Sequence, residues 1–120
     1  MYLVCQQPHY LPWLGYFELF RRADTFVFLD TVQWTKQGRQ HRTKIFGSSP
    51  QWLTIPVQSK GHRELSIREM KVDLQQNWAK KHWKTIEQNY RKAPYFSSQV
   101  EPTLRPFFEK VQKEEFLIDI

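Results

Sequence analysis

Apolar and polar positions divide the chain into segments of different period. Tyr2-Leu3-Val4-Cys5-Gln6 is a short apolar run rich in β-formers, which predicts a buried strand. Pro8 and Pro12 then impose a turn, and Pro12 suits the first position of a helix. Trp13, Phe17 and Phe20 recur at i, i+4 and i+7. That spacing predicts an amphipathic helix to about residue 23, with Trp13 and Phe17 in the core and Arg21 and Arg22 complementing the dipole in the last turn. Thr25-Phe26-Val27-Phe28-Leu29 is an uninterrupted apolar run closed by Asp30, the pattern of a strand buried on both faces. Strand, helix and strand over about thirty residues make a βαβ unit, with parallel pairing and a right-handed crossover. Ligands of open parallel sheets bind beyond the carboxyl ends of the strands, which here are residues 6–10 and 30–34.

The middle reads as strand and loop. Residues 42–46 and 51–57 predict two strands joined through Gly47-Ser48-Ser49-Pro50, a hairpin-type connection. Residues 59–64 form a polar loop, and 65–72 can contain a further strand. Asn77 suits the cap of a helix with the stripe Ala79, Trp83, Ile86 and Tyr90, ended by Ala93-Pro94. Ser98-Gln99-Val100-Glu101 has capping-box form. It opens a last helix with Val100, Leu104, Phe107, Phe108 and Val111 on one side and an expected kink at Pro106. The chain closes on Phe116-Leu117-Ile118-Asp119-Ile120, which reads as the start of an element. The expected fold is α/β in a single domain over 1–120. It has a βαβ start, a Rossmann-like, mostly parallel sheet, additional hairpin strands and two C-terminal helices.

Composition narrows the class. With 120 residues the chain suffices for one modest core, and 16% aromatic content excludes a disordered polymer. The single Cys5 has no partner for an internal disulfide and, within its apolar run, reads as a buried inert thiol. The start lacks the basic and apolar regions of a signal peptide, and no apolar stretch approaches the ~20 residues of a membrane span. A cytoplasmic location is expected. A net charge of +6 favours anionic partners.

Four constellations can carry chemistry. In the opening loop, His9 can meet a phosphate or act as acid/base, while Gln7 and Tyr10 can orient a polar substrate at a helix N-terminus. The plainer reading is that His9 and Tyr10 satisfy turn carbonyls. Asp30, with Gln33 nearby, can hold a sugar hydroxyl or serve as a base; alternatively it closes a turn. Arg39-Gln40-His41-Arg42-Thr43-Lys44 forms an anion site if its cations converge, and on a strand Gln40, Arg42 and Lys44 share a face. A solvated basic loop is the alternative. In Lys80-Lys81-His82-Trp83-Lys84, His82 borders the apolar stripe and reads as structural. The candidate catalytic pair is therefore His9 and Asp30. The candidate binding set is Gln7, Tyr10, Gln33, Gln40, Arg42 and Lys44. No glycine-rich phosphate loop, nucleophile elbow or zinc pattern occurs, and no cofactor is indicated.

Gln7-Pro8-His9-Tyr10-Leu11-Pro12-Trp13-Leu14-Gly15-Tyr16-Phe17 is similar to the signature of the WbqC-like family. So are Ala23-Asp24 with Phe26-Val27-Phe28-Leu29-Asp30, Gln40-His41-Arg42, Trp52-Leu53 with Ile55-Pro56-Val57, and Lys92-Ala93-Pro94-Tyr95-Phe96. The resemblance runs along essentially the whole chain. It implies the N-terminal part of a longer protein and a setting in bacterial O-antigen and related surface-polysaccharide clusters. It also implies a transferase of amino-acyl, acyl or nucleotidyl groups. Arg42 departs from the Asn-Arg-Asn-like run more usual there. A weaker similarity, to nucleotidyltransferases with an H-x-G-H signature, lacks their second histidine and is analogy. Two further readings stand beside the transferase. One is a non-catalytic anion- or nucleotide-binding module; the other, ranked last, is a basic nucleic-acid-binding domain, for which no recognition motif is present. The expected partners are a small anionic ligand or nucleotide-linked substrate and, through the last helix and the tail, a second copy in a homodimer.

Overall fold

The computed structural model describes residues 1–61 and 64–120; His62 and Arg63, in the expected polar loop, lie outside the described residues. The opening folds as a βαβ unit. Strand β1 (Leu3–Gln6) pairs in parallel with β2 (Thr25–Phe28), Leu3 opposite Thr25 and Gln6 opposite Phe28, and helix α1 (Leu14–Arg22) connects them. The helix starts two residues beyond Pro12. Leu11 takes a left-handed φ of 41°, so Pro12 belongs to the turn, and Trp13 occupies the N-cap with extended backbone.

This unit is less enclosed than its apolar pattern implies. Val4 and Tyr16 are buried, but Trp13 and Phe17 are each 55% exposed, and Phe20, Val27 and Phe28 are also exposed. The expectation that Trp13 and Phe17 fill the core, and that residues 25–29 are covered on both faces, is therefore corrected. Cys5 is exposed rather than buried, because it faces opposite to Val4 in the alternation of β1. The sheet has two strands, and among the described residues no second layer covers its far face.

The core lies elsewhere. Strands β3 (Arg42–Phe46) and β4 (Pro50–Thr54) form an antiparallel hairpin. Three residues connect them, too few for the crossover that parallel strands require. The strands thus form two two-stranded sheets, one parallel and one antiparallel, and the single mostly parallel sheet expected from the sequence is not formed among the described residues. Against the hairpin pack α2 (Trp78–Tyr90) and α3 (Glu101–Val111), enclosing Leu53, Ile55, Met70, Ile86 and Phe108.

Residues 65–72 form no strand. Ile67 and Met70 are both fully buried, and their spacing of three suits the 3₁₀ turn at Ile67–Glu69. The capping box forms here, with the Ser66 backbone N–H and hydroxyl donating to one Glu69 carboxylate oxygen at 3.0 and 2.6 Å. It does not form at residues 98–101, where α3 emerges from a wide π-type turn at Phe96–Val100 without a side-chain cap. Asn77 occupies the N-cap of α2, also without a side-chain bond. Helix α3 runs unbroken through Pro106.

Phe108 and Val111 of α3 are buried, and Leu104 and Phe107 pack against the core. The tail folds back: Leu117 is buried, and its N–H donates to the Met70 carbonyl at 2.9 Å. The stripe and tail on which the dimer expectation rests are thus largely enclosed within the chain. Much of the exposed apolar surface belongs to β1, α1 and β2, with Phe46, Trp52, Leu74 and Tyr95 exposed elsewhere. No helix among the described residues is long and apolar enough to cross a membrane.

Candidate functional site: a basic cleft beside the opening loop

The loop after β1 is fastened from several sides. The Tyr16 hydroxyl donates to the Gln7 carbonyl at 2.9 Å, and the Gln40 amide donates to the Gln7 side-chain oxygen at 2.6 Å. The Tyr10 N–H donates to the Arg39 carbonyl at 3.0 Å. The Thr43 hydroxyl donates to the Leu11 carbonyl at 3.2 Å. These bonds hold Leu11 in a backbone region that costs a β-carbon about 1–2 kcal/mol. They tie the loop to the segment leading into β3.

Between this loop and β3 lies a cleft of about 640 Å³, lined by His9, Trp13, Arg39, Arg42, Lys44 and Tyr90 among others. The hairpin register sets its chemistry. Lys44 stands opposite Trp52, with Arg42 two residues away on the same face. The Trp52 ring carries Arg42 at 4.5 Å, Arg39 at 4.9 Å and Lys44 at 5.8 Å. Three cations therefore crowd one indole ring. None of the ion pairs formed among the described residues involves them. Arg42 is partly committed, donating to the Gln37 carbonyl at 2.8 Å and the Gly38 carbonyl at 3.3 Å; Arg39 and Lys44 make no such bonds among the described residues.

His9 stands in the wall of this cleft, its ring stacked 5.3 Å from Tyr16 and tilted against Trp13 at 5.4 Å. Its Nδ1 is buried with no hydrogen-bond partner among the described residues. Burial first, and the Arg39 guanidinium second, hold its pKa below the usual histidine value, which favours the neutral imidazole. The other side of the same wall faces an apolar groove of about 510 Å³ lined by His9, Tyr16, Phe17, Phe20, Phe28 and Asp30 among others. His9 and Asp30 thus share a groove, as the βαβ geometry predicts, while Arg42 and Lys44 meet His9 on the opposite side.

Of the remaining candidates, Tyr10 also lines the basic cleft, but it is buried, and its hydroxyl is engaged inward, 2.8 Å from His82 Nδ1; His82 Nε2 lies 3.1 Å from the Thr54 carbonyl. Both His82 nitrogens are satisfied by a neutral ring with Nε2 donating to the carbonyl. Burial pushes its pKa down to about 4 against a small opposing effect of Thr54, so His82 is structural. Gln7 and Gln40 bond each other and line neither large cleft. Gln33 is exposed, forms an isolated bridge with Ser66, and also lies outside both. His41 is buried against Trp34, its pKa pushed down to about 4 by burial and by Arg42. No three His, Cys, Asp or Glu residues among those described converge to hold a metal ion.

The opening-loop motif that builds this wall belongs to a recognisable sequence pattern: the profile of the WbqC-like protein family matches residues 7–120. The chain belongs to the WbqC-like family. It is 39% identical over 107 residues to the uncharacterized protein Rv1507c of Mycobacterium tuberculosis, a match covering 88% of this chain and 46% of that protein. The chain thus spans about half the length of this WbqC-like relative. No solved structure matches it.

Three residues at or beside the cleft carry no direct signal in the sequence: Trp13 and Arg39, which line it, and Trp52, which meets its cations. Trp52 is legible only by pairing the hairpin: a three-residue connection places it opposite Lys44. Trp13 carries a helical-stripe signal that points to the core, and only the open far side of α1 turns it outward. Arg39 lies in the basic run, but outside the alternation that singles out Arg42 and Lys44.

Proposed function

We propose that this chain binds a small anionic ligand, phosphate-bearing by preference, in the basic cleft. The observation that carries the reading is the convergence of Arg39, Arg42 and Lys44 on Trp52 without a carboxylate. Like charges gathered this closely repel one another, and an anion placed among them relieves the repulsion. The N-terminus of α1 borders the same cleft at Leu14 and adds its positive end. A neutral His9 in the wall is suited to accept a proton from a nucleophile. Asp30, across the wall, engages no hydrogen bond or ion pair with its carboxylate among the described residues and is suited to orient an acceptor hydroxyl.

In the WbqC-like setting this arrangement supports a transferase of amino-acyl, acyl or nucleotidyl groups that modifies bacterial surface polysaccharide from the cytoplasmic side. His9 would be the base, and Arg39, Arg42 and Lys44 the donor-anion contacts. A non-catalytic anion-binding module is the second reading. It is favoured by the placement of Asp30 outside the basic cleft. Calorimetric titration with pyrophosphate tests the binding: Arg39→Ala and Arg42→Ala should each weaken it about tenfold or more, as expected for charge-assisted hydrogen bonds. Unchanged affinity in both variants removes the basic cleft from the site. A short ligand should also show a shallow salt dependence. The steep slope of many phosphate contacts would instead favour nucleic acid.

A further inference from the structure

We propose that Trp13 is a stacking platform for a planar ring of the ligand, so that the anion held in the basic cleft belongs to a nucleotide or nucleotide-linked molecule. This rests on the anion-binding reading above and names its substrate class. The indole is 55% exposed at the cleft that holds the three cations, yet its position is defined from several sides. His9 lies 5.4 Å away and tilted, and Tyr16 meets the indole edge-on at 5.6 Å. Beneath it is Gly15, where an added β-carbon would come within 2.5 Å of the indole nitrogen. The glycine lets the indole lie against the first turn of α1.

Local helix stability accounts for neither residue. Trp13 is at the N-cap and makes no capping bond, where Ser, Thr, Asp or Asn would serve. Gly15 is among the poorest helix formers. What the pair achieves is a large, oriented aromatic surface beside the cleft, with an anion site next to it. Phosphate and flat ring are the two ends of a nucleotide. Stacking on an aromatic ring tolerates any base, because every base has a π-face, so little discrimination among bases is expected from Trp13.

The test compares AMP and UMP with ribose 5-phosphate, which carries the same anion and no base. In the wild type both nucleotides should bind about tenfold tighter than ribose 5-phosphate or better, the usual range for one stacked base. Trp13→Leu should bring that ratio near one and leave ribose 5-phosphate affinity unchanged. Trp13→Phe should keep part of it. Gly15→Ala, which displaces the indole, should lower the ratio without touching the sugar phosphate, and Arg39→Ala should weaken all three ligands together. Urea unfolding of each variant reports whether it has folded. Failure of ribose 5-phosphate and both nucleotides alike to bind overturns the anion reading, and the stacking inference with it. Ribose 5-phosphate bound as tightly as the nucleotides, or a nucleotide advantage that survives Trp13→Leu, overturns the stacking inference alone.

Discussion

Replacing Tyr10 with Phe separates a structural from a ligand-binding role for a residue of the opening loop. The ring is 5% exposed and lies 6.3 Å from Trp78, edge-on. Removal of the hydroxyl therefore leaves the packing in place and deletes one hydrogen bond, the 2.8 Å contact with His82 Nδ1. An ordinary hydrogen bond contributes about 1 kcal/mol net, but here the partner is a buried acceptor left unsatisfied, which raises the cost to about 1–3 kcal/mol. The second nitrogen of His82 is occupied by Thr54, so the ring cannot rotate to repair the loss without breaking that bond. About 2 kcal/mol should lower the thermal midpoint by roughly 6–10 °C for a domain of this size. Urea unfolding at pH 7.5, followed by tryptophan fluorescence, measures the change directly. Pyrophosphate affinity of the folded variant should equal that of the wild type. A variant that unfolds at the wild-type midpoint but loses its ligand would refute this reasoning and return Tyr10 to the binding set.

Stability should also depend on pH through His82 and His41. Their folded pKa values are pushed down to about 4 while the unfolded value is about 6.5, so between these limits the unfolded chain binds more protons. Stability from these groups is complete above pH 6.5 and falls as the pH drops towards 4, by at most about 1.4 kcal/mol per pH unit for His82. A urea midpoint flat from pH 7 to 5 would contradict it. Phe108→Glu should unfold the chain, costing about 3 kcal/mol or more by placing a carboxylate in a site 3% exposed. A folded variant would contradict this, and one that sediments as a monomer beside a dimeric wild type would show that α3 is an interface instead. Phe20→Glu, on the exposed face of α1, should lower the unfolding free energy from urea titration by only about 0.5–1.5 kcal/mol, the worth of its ring contact with Phe26 at 5.0 Å, and reduce binding of an apolar dye. An unchanged dye signal would show that this face is covered. Gly38→Ala should loosen the opening loop, since an added β-carbon there collides with the Gln40 side-chain oxygen and Gln40 is held by Gln7. The expected loss is about 1–3 kcal/mol, read by urea unfolding, and a neutral result would show that the Gln7–Gln40 bond is dispensable.

Local rules carried the elements whose causes are themselves local. The βαβ order, the hairpin over residues 42–54 and the helix stripe that buries Ala79 and Ile86 follow from period, turn residues and connection length. The basic run ahead of β3 and His9 in a proline-bounded loop are legible for the same reason: their positions are set within a few residues of chain. Tertiary structure decided what each apolar or polar side chain meets. Trp13 and Phe17 carry the same periodic signal as Ile86, yet they are exposed, because burial depends on a second surface and periodicity describes only the first. Tyr10 and His82 are 72 positions apart, and no local pattern announces that a loop tyrosine will satisfy a helix histidine. The cleft has the same origin. Arg39, Arg42 and Lys44 are neighbours in sequence, but their convergence requires Trp52 from the next strand, in a register that only the folded hairpin realises.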